Sequence, residues 1–236
     1  MNALANKNSH LVEGKDVLLS EEITIFLFDC SGSMHDRIDD DGSFYAGDPY
    51  RLTKFKAMKD AATKFVGQRI DAVRNGASDS VGIITFGDDV RLIHDPSSRN
   101  FETLLQRISR MSCTGSTPMA QAVQMAIDTA ERFTSGMIRV VICSDGQPDN
   151  KQYVLDCVRR GFEEYGIIFD TIGIGRSGGM FGLDEEFLKL VAETGGGEYT
   201  RITSYQEFSR KLLSIESERQ LLLGSGILML PSNDTI

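Results

Sequence analysis

Three short stretches of the chain set oxygen-bearing side chains beside glycine: Asp29-Cys30-Ser31-Gly32-Ser33, Thr114-Gly115-Ser116-Thr117-Pro118 and Ser144-Asp145-Gly146-Gln147-Pro148-Asp149. If the fold brings them together, Asp29, Ser31, Ser33, Thr117 and Asp145 offer two carboxylates and three hydroxyls to one point. Such a set suits a hard divalent cation, Mg2+ first and Mn2+ or Ca2+ by the same oxygen chemistry, far better than a thiolate-seeking metal. Two carboxylates balance the ion's double charge, and hydroxyls add coordination without adding negative charge. The ion then stays electrophilic and keeps a position for an outside oxygen. The carboxylate of an Asp or Glu on a partner protein is the natural ligand there, because the cation offsets that group's desolvation.

Each stretch taken alone reads as a turn whose carboxylate and hydroxyls cap backbone amides. Other chemistries compete. A strand-end Asp29 in an α/β sheet is where aspartyl-phosphate enzymes carry their nucleophile, but Ser31 stands where one such family has a second acid. Gly173-Ile174-Gly175-Arg176-Ser177-Gly178 satisfies GxGxxG and follows a strand, yet it comes late and more loop intervenes before the next helix. The stretch from His35 to Tyr50 carries Asp36, Asp39, Asp40, Asp41 and Asp48 with Phe44, Tyr45 and Tyr50. It resembles a calcium loop in part, but Arg37 occupies the first-ligand position. A solvated acidic loop on the rim of the centre, with aromatics facing a partner, is the functional reading kept for it. His10, His35 and His94 are isolated and suggest no catalytic pair.

The elements that must position these loops are legible from periodicity. Glu22 to Phe28 is a nearly continuous apolar run, read as a strand buried on both faces. Leu52, Phe55, Met58, Ala62, Phe65, Val66 and Ile70 recur at helical spacing. SVGIITF and the short VRLI read as strands around a turn at Gly87-Asp88-Asp89, and FETLLQRISRM as a helix. MAQAVQMAIDTAERF follows as a helix opened by Pro118. MIRVVICSDG is a strand, KQYVLDCVRRGFEEY a helix, and GIIFDTIGIG a strand. LDEEFLKLVAET is a helix closed by Gly195-Gly196-Gly197 in left-handed geometry. EYTRI is a last strand, and SYQEFSRKLLSIESERQLLL a closing helix. Alternation of this kind demands right-handed crossovers. It predicts an α/β, doubly wound, mostly parallel sheet with helices on both faces and one short antiparallel edge strand. Ligands of such sheets bind beyond the carboxyl ends of the strands, where the connections diverge.

The chain has 236 residues, 41% hydrophobic and 25% charged, with a formal net charge of -9. One domain at 21–223, an extension at 1–20 and a tail at 224–236 with an apolar ILML segment are expected. The negative balance disfavours nucleic acid and anionic lipid surfaces as partners. No segment is apolar for long enough to span a bilayer. The first twenty residues do not resemble a secretory signal, and Cys30, Cys113, Cys143 and Cys157 show no CxxC spacing; free buried thiols in the cytoplasm are expected.

In their order and context, the three loops resemble the von Willebrand factor type A family. DCSGS resembles its DxSxS motif, TGST before a helix its threonine loop, and CSDGQPD its final Asp-Gly loop. The likeness runs from about Ile23 to Leu213. It resembles cytosolic bacterial stand-alone members such as those associated with tellurite resistance. The resemblance implies a Rossmann-like fold and a metal-ion-dependent adhesion site in which Ser31, Ser33 and Thr117 bind the metal directly, while Asp29 and Asp145 act directly or through water. It implies a binding module, monomeric or in a hetero-complex, and no enzyme. The alternatives are a regulatory subunit of an ATPase, kinase or phosphatase, or metal-stress complex, and a metal-dependent hydrolase. It also implies coupling between metal occupancy and the closing helix, about Ser204 to Leu223.

Overall fold

A computed structural model describes residues 22–38, 52–74, 80–97, 99–133, 136–175, 182–204 and 206–212. Strand β1 (Glu22–Asp29) shows why the sheet needs helices on both sides. Its residues from Ile23 onward are buried, and successive side chains leave a strand on opposite faces. Phe26 and Phe28 enter one core, with Phe26 edge-on to Phe65 at 5.1 Å; Ile23, Ile25 and Leu27 enter the other. A strand buried on both faces and this apolar is stable only between two helical layers.

The remaining elements run in chain order as a short 3-10 turn (Gly32–His35), α1 (Lys54–Arg74), β2 (Ser80–Phe86), β3 (Val90–Ser97), α2 (Phe101–Ser109), α3 (Met119–Ala130), β4 (Met137–Ser144), α4 (Lys151–Tyr165), β5 (Ile168–Ile174), α5 (Glu185–Thr194) and β6 (Gly196–Ile202). Residues 206–212 form a further helix, α6. The strand order is β3-β2-β1-β4-β5-β6, and every pairing is parallel except β2 with β3. Helices α1, α2 and α6 cover the face of Phe26 and Phe28, and α3, α4 and α5 cover the face of Ile25 and Leu27. The doubly wound α/β sheet with one antiparallel edge strand is therefore as expected. Among the described residues no helix is long and apolar enough to cross a membrane.

Two local departures have physical reasons. The edge strand β3 extends beyond VRLI to Ser97 and takes in Pro96, which an edge position tolerates because one side of the strand needs no ladder donor. Its ring lies where a side chain on Gly82 would be, 2.7 Å from that glycine's ideal Cβ. Of the three glycines after α5, only Gly196 is left-handed (φ 65°); Gly195 caps the helix at φ -95°, and β6 opens at Gly196 itself. In the closing segment, Phe208 and Leu212 are fully buried. Most of the acidic loop, the end of the GxGxxG stretch, the rest of the closing helix and both terminal segments lie outside the described residues.

Candidate metal centre

The sheet reverses direction of growth at β1. It pairs with β2 on one side and β4 on the other, so the connections that leave β1 and β4 part to opposite faces. In register, Phe28 lies opposite Cys143, which sets Asp29 beside Ser144 and the following Asp145 at the carboxyl edge. The crevice between diverging connections is where this architecture takes ligands.

Asp29 is completely buried and fixed by its neighbours: Ser31 N donates to Oδ1 at 2.8 Å, and Ser144 Oγ donates to Oδ2 at 2.5 Å. Ser144 Oγ in turn accepts from Gly146 N at 2.9 Å. The Ser31 and Ser33 hydroxyls are 3.1 Å apart. Asp145 is also completely buried, with Lys54 Nζ 3.1 Å from Oδ2 and no partner for Oδ1. A buried carboxylate oxygen without a donor is costly, and native structures rarely leave one so.

The second loop reaches the same edge by backbone stitching. Cys30 N donates to Phe86 O at 2.7 Å, Thr114 N to Cys30 O at 2.7 Å, and Gly32 N to Gly115 O at 3.0 Å. Asp149 N donates to Thr117 O at 3.2 Å, tying the second loop to the third. The His35 ring bonds Cys113 O at 2.7 Å, and the Cys113 thiol donates to Ser31 O at 2.6 Å. Gly115 sits at φ 87°, and an ideal Cβ there would fall 2.0 Å from Asp88 Oδ1, so only glycine lets this loop cross the β2–β3 turn. Thr117 is buried, Ser33 is half-buried and Gly32 is exposed, so the cluster opens to solvent at the first loop.

The electrostatics are those of a site short of positive charge. Burial, and then the Asp145 carboxylate, push Asp29 up from 3.8 to about 7, outweighing the hydrogen bonds from Ser144 and Ser31 that act the other way. Burial first and Asp29 next push both Cys30 and Cys113 up, Cys113 to about 12, so both remain thiols rather than thiolate ligands. All four cysteines are free and buried. Among the described residues no cluster of three or more His, Cys, Asp or Glu gathers that could hold a metal. A centre built from two carboxylates and hydroxyls contains no such cluster, and its donors suit an oxygen-seeking divalent ion. The orphaned Asp145 Oδ1 and the raised Asp29 are the features that a cation would relieve.

All five residues read from the sequence thus lie on the three loops that meet at this edge. Sequence reasoning passed over Lys54, and it gave Ser144 and Gly87 only as members of a loop and a turn. An ideal Cβ on Gly87 would lie 2.7 Å from Thr114 O and 2.8 Å from Cys30 O, which is why the β2–β3 turn can lie against both loops. The first two glycines of the GxGxxG stretch are closely packed: a Cβ on Gly173 would meet Tyr199 Oη at 2.8 Å, and one on Gly175 would meet Lys54 Cε at 3.0 Å. An open cleft of about 480 Å3 runs beside the first two loops, lined in part by Cys30, Asp88, Arg91, Arg107 and Thr114.

Comparison with known proteins agrees with this fold. The family model described as von Willebrand factor type A domain matches residues 24–147, more than half of the chain, and it takes in all three loops as far as Gln147. No curated protein matches. Among solved structures, an aerotolerance-related membrane protein from Bacteroides fragilis superposes with a TM-score of 0.62 at 16% identity, covering 85% of this chain and 99% of that one. The SpRpn10 VWA domain superposes at 0.59 with 18% identity, covering 89% and 99%. A manganese-loaded TRAP protein from Plasmodium vivax superposes at 0.57 with 16% identity, covering 82% and 71%. At these identities the likeness is one of fold.

Proposed function

Because this chain belongs to the von Willebrand factor type A family, a family of protein-interaction modules, we propose that it is a noncatalytic binding module that holds one divalent ion, Mg2+ in the first instance, and captures an Asp or Glu of a partner protein on it. The observation that carries this reading is the pair of fully buried carboxylates, Asp29 and Asp145, with Asp145 Oδ1 unpartnered beside them. Ser31, Ser33 and Thr117 would complete the donor set with neutral hydroxyls. A divalent ion bound there would supply an electrophilic position for an incoming carboxylate oxygen. The chain's own part is to keep that position framed: Ser144 and Ser31 N orient Asp29, and the stitches among Cys30, Thr114 and Gly32 hold the first two loops at fixed separation.

One arrangement supports binding over turnover: burial holds the Cys30 and Cys113 thiols protonated, so neither is a ready nucleophile. A role as regulatory subunit of an ATPase, kinase or phosphatase, or tellurite-type stress complex uses the same capture and differs only in the partner. Four free, buried thiols support a reducing, cytoplasmic setting.

Calorimetric titration of Mg2+, Mn2+ and Ca2+ into chelator-treated protein tests the reading. One saturable site is expected, lost in an Asp29→Ala/Ser31→Ala double variant that still folds. Equal heats from both proteins, or none from either, would reduce the three loops to structural turns.

A further inference from the structure

Lys54 is out of place by the ordinary rules of helices. It is the first residue of α1, where the partial positive charge of the helix end disfavours a cation, and no acidic residue occupies that first turn to compensate. It is also 4% exposed, although lysines are almost never fully buried unless paired. Its backbone is anchored by a hydrogen bond from its N to Asp36 O at 2.9 Å, just after the first loop. Its stem passes over Gly175, which has φ 119° and no room for a side chain beneath Lys54 Cε. The ammonium ends 3.1 Å from Asp145 Oδ2, a contact between positions 91 apart in sequence, while Asp145 Oδ1 stays without a partner. One carboxylate thus shows two unlike oxygens, one neutralised from within the chain and one left open.

We propose that Lys54 is a tethered counter-cation of the metal centre that weakens divalent-ion affinity and strengthens the capture of anions; this rests on the metal-binding reading above. The charge count gives the direction. With both carboxylates ionised, Lys54 takes the empty site from two negative charges to one, so it pulls less strongly on a divalent ion. Once filled, the site carries one net positive charge instead of none, and a partner's carboxylate is drawn to that surplus. Lys54 is too buried to touch the partner, so it acts through charge and by fixing the orientation of Asp145. It is a specificity-determining residue and not a ligand.

The test compares the full-length wild type with Lys54→Met and Lys54→Gln. The methionine variant removes the charge at similar volume; the glutamine variant keeps a donor for Asp145 Oδ2 and covers the case in which the methionine variant does not fold. Mg2+ affinity is read by calorimetry, and acetate binding to the Mn2+-loaded proteins by water-proton relaxation. Both variants are expected to bind Mg2+ at least ~10-fold more tightly and acetate several-fold more weakly, in line with like-charge effects in partly desolvated sites. Unchanged Mg2+ affinity in variants of a wild type that binds would overturn the counter-cation role and leave the metal centre standing. Weaker Mg2+ binding would overturn it too, showing instead that Lys54 positions Asp145 for the ion. Absence of binding in all three proteins would remove the metal-centre reading and this inference together.

Discussion

Replacing Asp29 by Asn is expected to abolish divalent-ion binding, by at least ~100-fold in affinity, and at the same time to stabilise the metal-free protein. The two effects have opposite signs because the same negative charge serves the ion and burdens the empty fold. Geometry survives the change: Asn Oδ1 can keep the hydrogen bond from Ser31 N, and the amide can donate to Ser144 Oγ once that hydroxyl rotates. The carboxylate, however, is raised from 3.8 to about 7 by burial and then by Asp145, so the folded metal-free protein binds this proton more tightly than the unfolded chain does. For a group raised on folding in this sense, native stability falls as pH climbs from the unfolded value toward the folded one, and it levels off above about 7. Between pH 5 and pH 8 the wild type in chelator should lose roughly 2–3 kcal/mol relative to Asp29→Asn, at about 1.4 kcal/mol for each unit of the pKa difference traversed. Urea unfolding of both proteins at the two pH values, with calorimetry of Mg2+ alongside, measures this. Parallel pH profiles, or a variant that binds Mg2+ as the wild type does, would show that Asp29 is a turn-capping residue and no more.

The sheet was legible because its strands are apolar enough to admit one interpretation. A run such as Ile23 to Phe28 must be buried on both faces, and alternation with helices leaves a parallel, doubly wound arrangement as the economical solution. The loop residues Asp29, Ser31, Ser33, Thr117 and Asp145 stood out because hydroxyls and carboxylates beside glycine at strand ends have few structural uses in combination. Lys54 did not stand out, since its partner is Asp145, far along the chain, and a lysine within an amphipathic pattern reads as a solvated position. The signal that would have found it is its place in the first helical turn, against the macrodipole. Ser144 was hidden for a similar reason: its role depends on the register that sets β4 against β1, and register is fixed by long-range pairing. The end of α5 at Thr194 was legible, but three consecutive glycines offer the chain a choice of which one turns left-handed, and pairing of Gly196 with Phe169 on β5 decided it.

Gly87→Ala should damage the centre from outside it. No left-handed backbone is involved; the constraint is contact, since the added methyl would lie 2.7 Å from Thr114 O and 2.8 Å from Cys30 O, both main-chain atoms that have no rotamer to yield. Those two residues are joined by the 2.7 Å hydrogen bond from Thr114 N to Cys30 O, and Cys30 N is held by Phe86 O, next to Gly87 itself. The methyl therefore presses apart the first and second loops where they are stitched, and Ser31 and Thr117 move with them. A strained insertion of one carbon into a packed region costs about 1–3 kcal/mol. Displacing the groups that orient ligands typically costs 10- to 100-fold in metal affinity. Gly67→Ala is the matched control: it lies within α1 with nothing within 4 Å of its ideal Cβ. There the methyl lowers the entropy of the unfolded chain and suits the helix, so stability should rise by about 0.4–1 kcal/mol with Mg2+ affinity unchanged. Thermal unfolding in chelator and Mg2+ calorimetry on the pair separate contact from composition. If both alanines behave alike, the close approach of the β2–β3 turn is not what holds the first two loops together, and the source of their alignment must lie in the Gly32 to Gly115 and Cys113 to Ser31 contacts instead.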